Sequence, residues 1–285
     1  MLSRDGARLH YDDLGAGELV VMTHGLNENA LYWTTTGIAG RLSSRYRVAI
    51  LEMRGHGRSV VTGNPAGYDA RTLGDDLLAL ADHLGHERFH LVSHATGGMV
   101  AVRLAMRDDR QLASLTLTDT GAATWPGRED PREAMAPRFA GRSWDDIIAS
   151  LHREPGLFLS QLDAHPDRAR LWSRFEEMAR LADPDVLAEF IRSFYDDPDP
   201  HVDLLRSIRC PTLVLLGEHD RLFVKPSRLL AAEIPVAQFV ILPGVGHMTA
   251  FEAPDETFAA IASFLAAHPV SGASANPVGA QGGVP

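Results

Sequence analysis

Short apolar runs alternate with amphipathic stretches over the first 120 residues. Residues 19–22, 46–51, 89–92 and 112–117 are runs of the length that strands buried on both faces of a parallel sheet use. Residues 212–216 and 239–242 repeat the pattern near the C-terminus. Between these runs the period changes. Leu73, Leu77, Leu80 and Ala81 form an apolar stripe at helical spacing within residues 72–84, with Thr72 as the expected cap and Gly85 as the stop. Residues 100–106 read as a second helix. Residues 254–268 read as a closing one, with Phe258, Ile261, Phe264 and Leu265 on one face. Strands interleaved with helices predict an α/β protein with a doubly wound, mostly parallel sheet. Residues 2–11 read as a hairpin around Asp5-Gly6, residues 14–17 as a turn, and residues 60–67 as loop.

From residue 121 to 206 the strand-like runs vanish. Acidic, Arg-rich helical patterns replace them at residues 143–151, 168–182 and 185–195, after a Pro- and Gly-rich loop. The expected organisation is a core of residues 1–120 and 207–268, with residues 121–206 inserted as a helical cap. The cap's aromatic residues should mostly hold it together or bind it to the core, with Trp125 and Trp144 as candidates for contact with a substrate. Residues 269–285, rich in Gly, Ala and Pro without an apolar period, are expected to form a disordered tail.

The stretch that organises the chain is Ser93-His94-Ala95-Thr96-Gly97-Gly98, between an apolar run and a helical pattern. A turn passing directly from strand to helix needs small residues where backbones crowd, and Gly97 and Gly98 supply them. Such a turn lifts one side chain above the sheet beside the amides of a helix N-terminus, the geometry of a nucleophile elbow. Each of three other polar segments also follows an apolar run: Thr23-His24-Gly25-Leu26, Gly217-Glu218-His219-Asp220 and Gly244-Val245-Gly246-His247. In a parallel sheet the carboxyl ends of strands border the ligand crevice.

These segments, in this order, resemble the α/β-hydrolase superfamily over residues 19–268. The family's elbow often reads Gly-His-Ser-x-Gly-Gly. The chain matches at His94, Gly97 and Gly98, and departs by Ser93 at the first glycine and Ala95 at the nucleophile. The resemblance implies the α/β-hydrolase fold with a helical cap. It implies His247 as general base, Asp220 as its acid partner and the Leu26 and Thr96 backbone N–H groups as the oxyanion hole. Asp119 is a rival acid. Gly25 lets the backbone turn near the substrate. His24 lies at the same place and reads as structural more than catalytic, as do His94 and His219. Residues 52–59 resemble the family's Asp-x-Arg-Gly-x-Gly-x-Ser loop, with Glu52 in place of Asp, and read as structural.

A methyl group cannot attack a carbonyl, so Ala95 leaves three readings open. The chain is a Ser-to-Ala inactive variant of an ester or lactone hydrolase, with an aromatic or polyketide-type substrate. Otherwise it is a nucleophile-free enzyme using a His-Asp dyad for C–C hydrolysis, elimination or cyclisation, or a ligand-binding protein.

Composition narrows the partners. The net charge of −10 argues against nucleic acid or anionic membrane. No apolar run reaches membrane-helix length, and the N-terminus lacks a secretory apolar stretch. The single cysteine, Cys210, allows no intrachain disulfide. No metal-ligand spacing or dinucleotide fingerprint is present. The expectation is a cytoplasmic monomer or homodimer, without cofactor, acting on a small molecule.

Overall fold

A computed structural model of the chain describes residues 1–124, 130–195 and 197–270. Ten strands are present among them: β1 Leu2–Arg4, β2 Ala7–Leu9, β3 Tyr11–Gly15, β4 Leu19–Thr23, β5 Arg47–Leu51, β6 Val60–Val61, β7 Phe89–His94, β8 Leu112–Thr118, β9 Thr212–Gly217 and β10 Ala237–Leu242. Seven form the main sheet in the order β10-β9-β8-β7-β4-β5-β3, parallel except for β3, which runs antiparallel to β5 at the edge. From β4 the sheet grows one way through β5 and the other way through β7. The topological switch therefore lies between β4 and β7, the place where ligands bind in open α/β sheets, at the strands' carboxyl ends.

The apolar runs of β4, β7, β8 and β9 are buried because both faces of the sheet are covered, whereas the edge strand β10 is only partly so. Leu19, Val21, Ala49, Leu51 and Leu91 point into one core, with the helices Ala70–His83 and Ala95–Arg107. Val20, Met22, Val48, Ile50 and Val92 point into the other, with Ile38, Leu42, Ile261 and Leu265 from helices on that side. The alternation of neighbouring residues between the two cores is the pleat of the strand.

The structure corrects the sequence reading at several edges. Residues 14–17 are not only a turn: Leu14 and Gly15 end β3, paired to β5. Val60 and Val61 are not loop: they pair with β2, in a small antiparallel sheet with β1. Asp69, not Thr72, caps the Ala70–His83 helix; its carboxylate accepts from the Thr72 N–H and Oγ1–H. A helix at Gly156–Ala164 was not expected.

Between β8 and β9 every described regular element is a helix. Ser143 caps Trp144–Arg153, and Arg168–Ala179 and Pro184–Phe194 follow. Leu162, Leu171, Phe175 and Met178 join one core, while Phe190, Ile191 and Phe194 join the other. Trp125 and residues 271–285 of the expected tail lie outside the described residues.

A buried ion pair ties the N-terminal strands to the first long helix. Asp76 accepts from Arg54 Nε at 2.7 Å and Nη2 at 3.0 Å, and from Arg4 Nη1 at 2.7 Å. Arg54 is 1% exposed, so removing its partner strands a buried charge. Asp76→Ala should cost about 3–5 kcal/mol in urea unfolding. A loss below about 1 kcal/mol would show that the pair holds little.

Candidate active site

β7 ends at His94, and Ala95 opens the next helix with φ at +47°. That left-handed conformation is unfavourable for a residue with a Cβ. Two hydrogen bonds hold it: Thr120 Oγ1 donates to the Ala95 carbonyl at 2.6 Å, and the Gly97 N–H donates to the His24 carbonyl at 3.0 Å. A Cβ on Gly97 would sit 2.5 Å from the His24 oxygen, and one on Gly98 would sit 2.6 Å from the Thr120 side chain. Both positions need glycine because backbone and side chain already fill the space. Ala95 itself is 5% exposed.

Asp220 follows β9 and His247 follows β10, and the two meet. His247 Nδ1 lies 2.8 Å from Asp220 Oδ2. The other Asp220 oxygen accepts from the Leu222 and Phe223 amides at 3.1 and 3.0 Å. Burial alone would raise the Asp220 carboxyl, but the His247 charge and hydrogen bond and these amides hold it below its ordinary value. Burial alone would depress His247. Asp220 foremost, then Asp119 and Glu28, outweigh it and raise the imidazole to about 9. Phe158, Phe223 and His94 surround the ring, with centroids 4.9, 5.4 and 4.9 Å away.

Asp119, the rival acid, is occupied elsewhere. It accepts from the Gly217 N–H at 2.9 Å and from Thr249 Oγ1–H at 2.7 Å. Burial first, and then the charge of Asp220, push its carboxyl well above the ordinary range. The contact with the His247 ring nitrogen is made by Asp220.

The loop after β4 lies against the elbow. The Leu26 and Thr96 amides have no hydrogen-bond partner among the described residues. A Cβ on Gly25 would lie 3.0 Å from the Ala95 Cβ. His24 does not present a group to a ligand: it is fully buried, with Nδ1 2.8 Å from the Gly25 carbonyl and Nε2 accepting from the Met53 N–H at 3.1 Å. That pairing fixes its tautomer and joins the loops after β4 and β5. Burial holds it below its ordinary value. Trp144 also stands apart. Its Nε1–H donates to the Ala182 carbonyl at 2.7 Å and its ring meets Phe139, so it braces the helices between β8 and β9.

Two contacts near the elbow escaped the sequence reading. Tyr195 OH, at the end of the Pro184–Phe194 helix, is 3.0 Å from Thr96 Oγ1. Glu28 is buried with its carboxylate on the Gly25 N–H at 2.6 Å. An acidic residue three positions after Gly25, in a segment about to enter the core, was the available signal. Among the described residues no group of three or more His, Cys, Asp or Glu is arranged to hold a metal ion, and no helix is long and apolar enough to cross a membrane.

The elbow follows β7, and the Asp220–His247 pair follows β9 and β10, two and three strands further along the same parallel sheet. The chain belongs to the alpha/beta hydrolase family, whose model matches residues 20–261. It is 33% identical over 256 residues to RutD of Caulobacter sp. (strain K31), a protein named for carbamate hydrolysis, across 87% of this chain and 90% of that one. It is 28% identical over 256 residues to a 2-hydroxy-6-oxononadienedioate/2-hydroxy-6-oxononatrienedioate hydrolase of Paraburkholderia phymatum, across 86% of each. Among solved structures it is similar to a thermophilic esterase from Thermogutta terrifontis, with a TM-score of 0.74, 27% identity and coverage of 92% and 94%.

The pair makes a pH signature. His247 has a folded value raised from 6.5 to about 9, so its contribution to stability is fully present below pH 6.5 and lost as pH rises through about 9. Asp220→Asn should drop the His247 value below 6.5 in an NMR titration, because burial then acts with less opposition. Asp119→Asn should lower it less. An equal or larger drop for Asp119→Asn would make Asp119 the dominant partner.

Proposed function

We propose that the chain is built as a hydrolase of carboxylic esters or lactones, aromatic or polyketide-type, on a Ser-His-Asp plan, with Ala95 standing where the nucleophilic serine would. The observation that carries this reading is the Ala95 backbone. Its left-handed turn, φ +47°, sits at the topological switch point, a conformation that serves a nucleophile and gives a methyl group no task. With a serine there, His247 would take its proton and return it to the leaving group. Asp220 would hold the ring and offset the imidazolium charge, while the Leu26 and Thr96 amides would receive the oxyanion. Residues 121–206 would form the cap over this chemistry. Similarity to proteins named as an esterase and for carbamate hydrolysis supports attack at an acyl carbon.

One observation favours a second reading. With a value of about 9, His247 is an imidazolium at neutral pH, better placed to give a proton than to take one. A nucleophile-free enzyme could use it as an acid in elimination or cyclisation.

Ala95→Ser separates the two. A triad acts as a unit, and loss of its nucleophile alone costs ~10⁶ in kcat. The serine variant should therefore gain at least ~10³-fold on p-nitrophenyl esters or aromatic lactones. The gain should vanish in Ala95→Ser/His247→Ala and grow as pH rises toward about 9, where His247 becomes an available base. A fluorophosphonate should label the serine variant alone. Turnover by the unaltered chain that serine does not improve would sink the acyl-transfer reading.

A further inference from the structure

Glu28 is a buried charge that the triad scheme does not use. It is 5% exposed. One carboxylate oxygen accepts from the Gly25 N–H at 2.6 Å, and the other lies 3.3 Å from His94 Nε2. These two partners belong to different strand ends. Gly25 immediately precedes Leu26 on the loop after β4, and His94 immediately precedes Ala95 and Thr96 on the elbow. The same Gly25 borders both sides of the site: a Cβ there would lie 3.0 Å from Glu28 Oε2 and 3.0 Å from the Ala95 Cβ.

We propose that Glu28 is the positioning residue of the oxyanion hole, a single carboxylate that clasps the loop carrying the Leu26 amide to the elbow carrying the Thr96 amide. The inference rests on the oxyanion-hole reading given above. An oxyanion hole works only when its donors are held where charge develops, and the two amides belong to segments about 70 residues apart in the chain. Neighbouring strands set them side by side coarsely, and Glu28 makes the finer link.

His94 can act as the elbow's half of the clasp because it cannot turn. Its ring stacks on Tyr32 at 4.4 Å and 17°, and its Nδ1 is 3.2 Å from Thr118 Oγ1. Burial holds His94 below its ordinary value, and its Nε2 meets the Glu28 carboxylate at 3.3 Å as a close polar contact rather than a directed hydrogen bond. Burial would raise Glu28. His94, foremost by its charge interaction, and then the Gly25 amide keep it below its ordinary value, as an anion. The charge of Glu28 is one of those that favour the His247 imidazolium, after Asp220 and Asp119.

The test uses two variants because the functions separate. A glutamine keeps an oxygen for the Gly25 N–H and removes the charge, whereas an alanine removes both. In the unaltered chain, Glu28→Gln should lower the His247 value by roughly half a unit or more in an NMR titration. In the Ala95→Ser background, Glu28→Ala should cut kcat by about tenfold or more, with KM changed less than about twofold, since the lost donors matter in the transition state. Glu28→Gln should retain most of that kcat. A folded Glu28→Ala with unchanged kcat, or with a loss confined to KM, overturns the proposal. If Glu28→Ala does not fold, Glu28→Asp, whose shorter side chain cannot span Gly25 and His94, takes its place in the same comparison of kcat and KM. If Ala95→Ser is inactive on every ester and lactone, the acyl-transfer reading has failed, and the clasp is judged by hydrogen exchange at the Leu26 and Thr96 amides of the unaltered chain: faster exchange in the Glu28 variant supports it, and unchanged exchange overturns it.

Discussion

Ala95 turns the chain from β7 into its helix in a left-handed conformation, and the surroundings are arranged to hold that turn. Thr120 grips its carbonyl, and Gly97 presses against the His24 carbonyl too closely for any side chain. His24 in turn is locked between the loops after β4 and β5. Strain at one residue therefore depends on three strand ends. Such strain costs of order 1–3 kcal/mol and persists only where the neighbourhood over-determines it. The same restraint sets the Ala95 position relative to the Leu26 and Thr96 amides, which have no partner among the described residues, so backbone geometry and chemistry are one problem.

Charge is the second constraint on the same volume. Glu28, Asp119 and Asp220 are all buried within reach of His247. Three adjacent carboxylates cannot all ionise without compensation, and the structure resolves them differently. Asp220 stays anionic on two amides and the imidazole. Asp119, deeper and beside Asp220, is pushed toward its protonated form. Glu28 stays anionic against Gly25 and His94. The result is a site whose histidine is held as an imidazolium by fixed groups, with Phe158 and Phe223 excluding water from its faces.

Much of this was legible in the sequence because it follows from periodicity and local sterics. Each apolar run became a strand, since runs of four to six residues are too short for a helix and suit the strands of a sheet covered on both faces. The elbow glycines were legible for a similar reason, as crowding leaves glycine alone. What could not be read was what depends on partners distant in sequence. The pairing of Val60 and Val61 with β2 has no local signal. Asp69 rather than Thr72 caps its helix because both side chains can serve and the final geometry chooses. Trp144 is an aromatic residue like any other until the Ala182 carbonyl appears opposite its nitrogen. His24 sits in a motif that suggests the pocket, yet its ring is turned to the Met53 amide. Composition alone could not separate Asp220 from Asp119. The distinction lies in which strand end points at the ring.

The choice of side chain at position 95 bears on the proposed reading of the elbow as a serine site. Glycine would accept φ +47° without the strain that any Cβ brings, roughly 1–2 kcal/mol. A protein selected only to bind a ligand here would gain stability by adopting glycine. Such a protein would also have no need to keep His247 and Asp220 paired at 2.8 Å in a buried setting, where replacing both with apolar residues is often neutral or stabilising. Alanine instead retains the Cβ, with its strain, and omits one oxygen. The elbow glycines and the Asp220–His247 pair are both present in the same chain. On the serine plan proposed above, that is what the removal of a single hydroxyl would leave, whereas a pocket reshaped for binding requires neither.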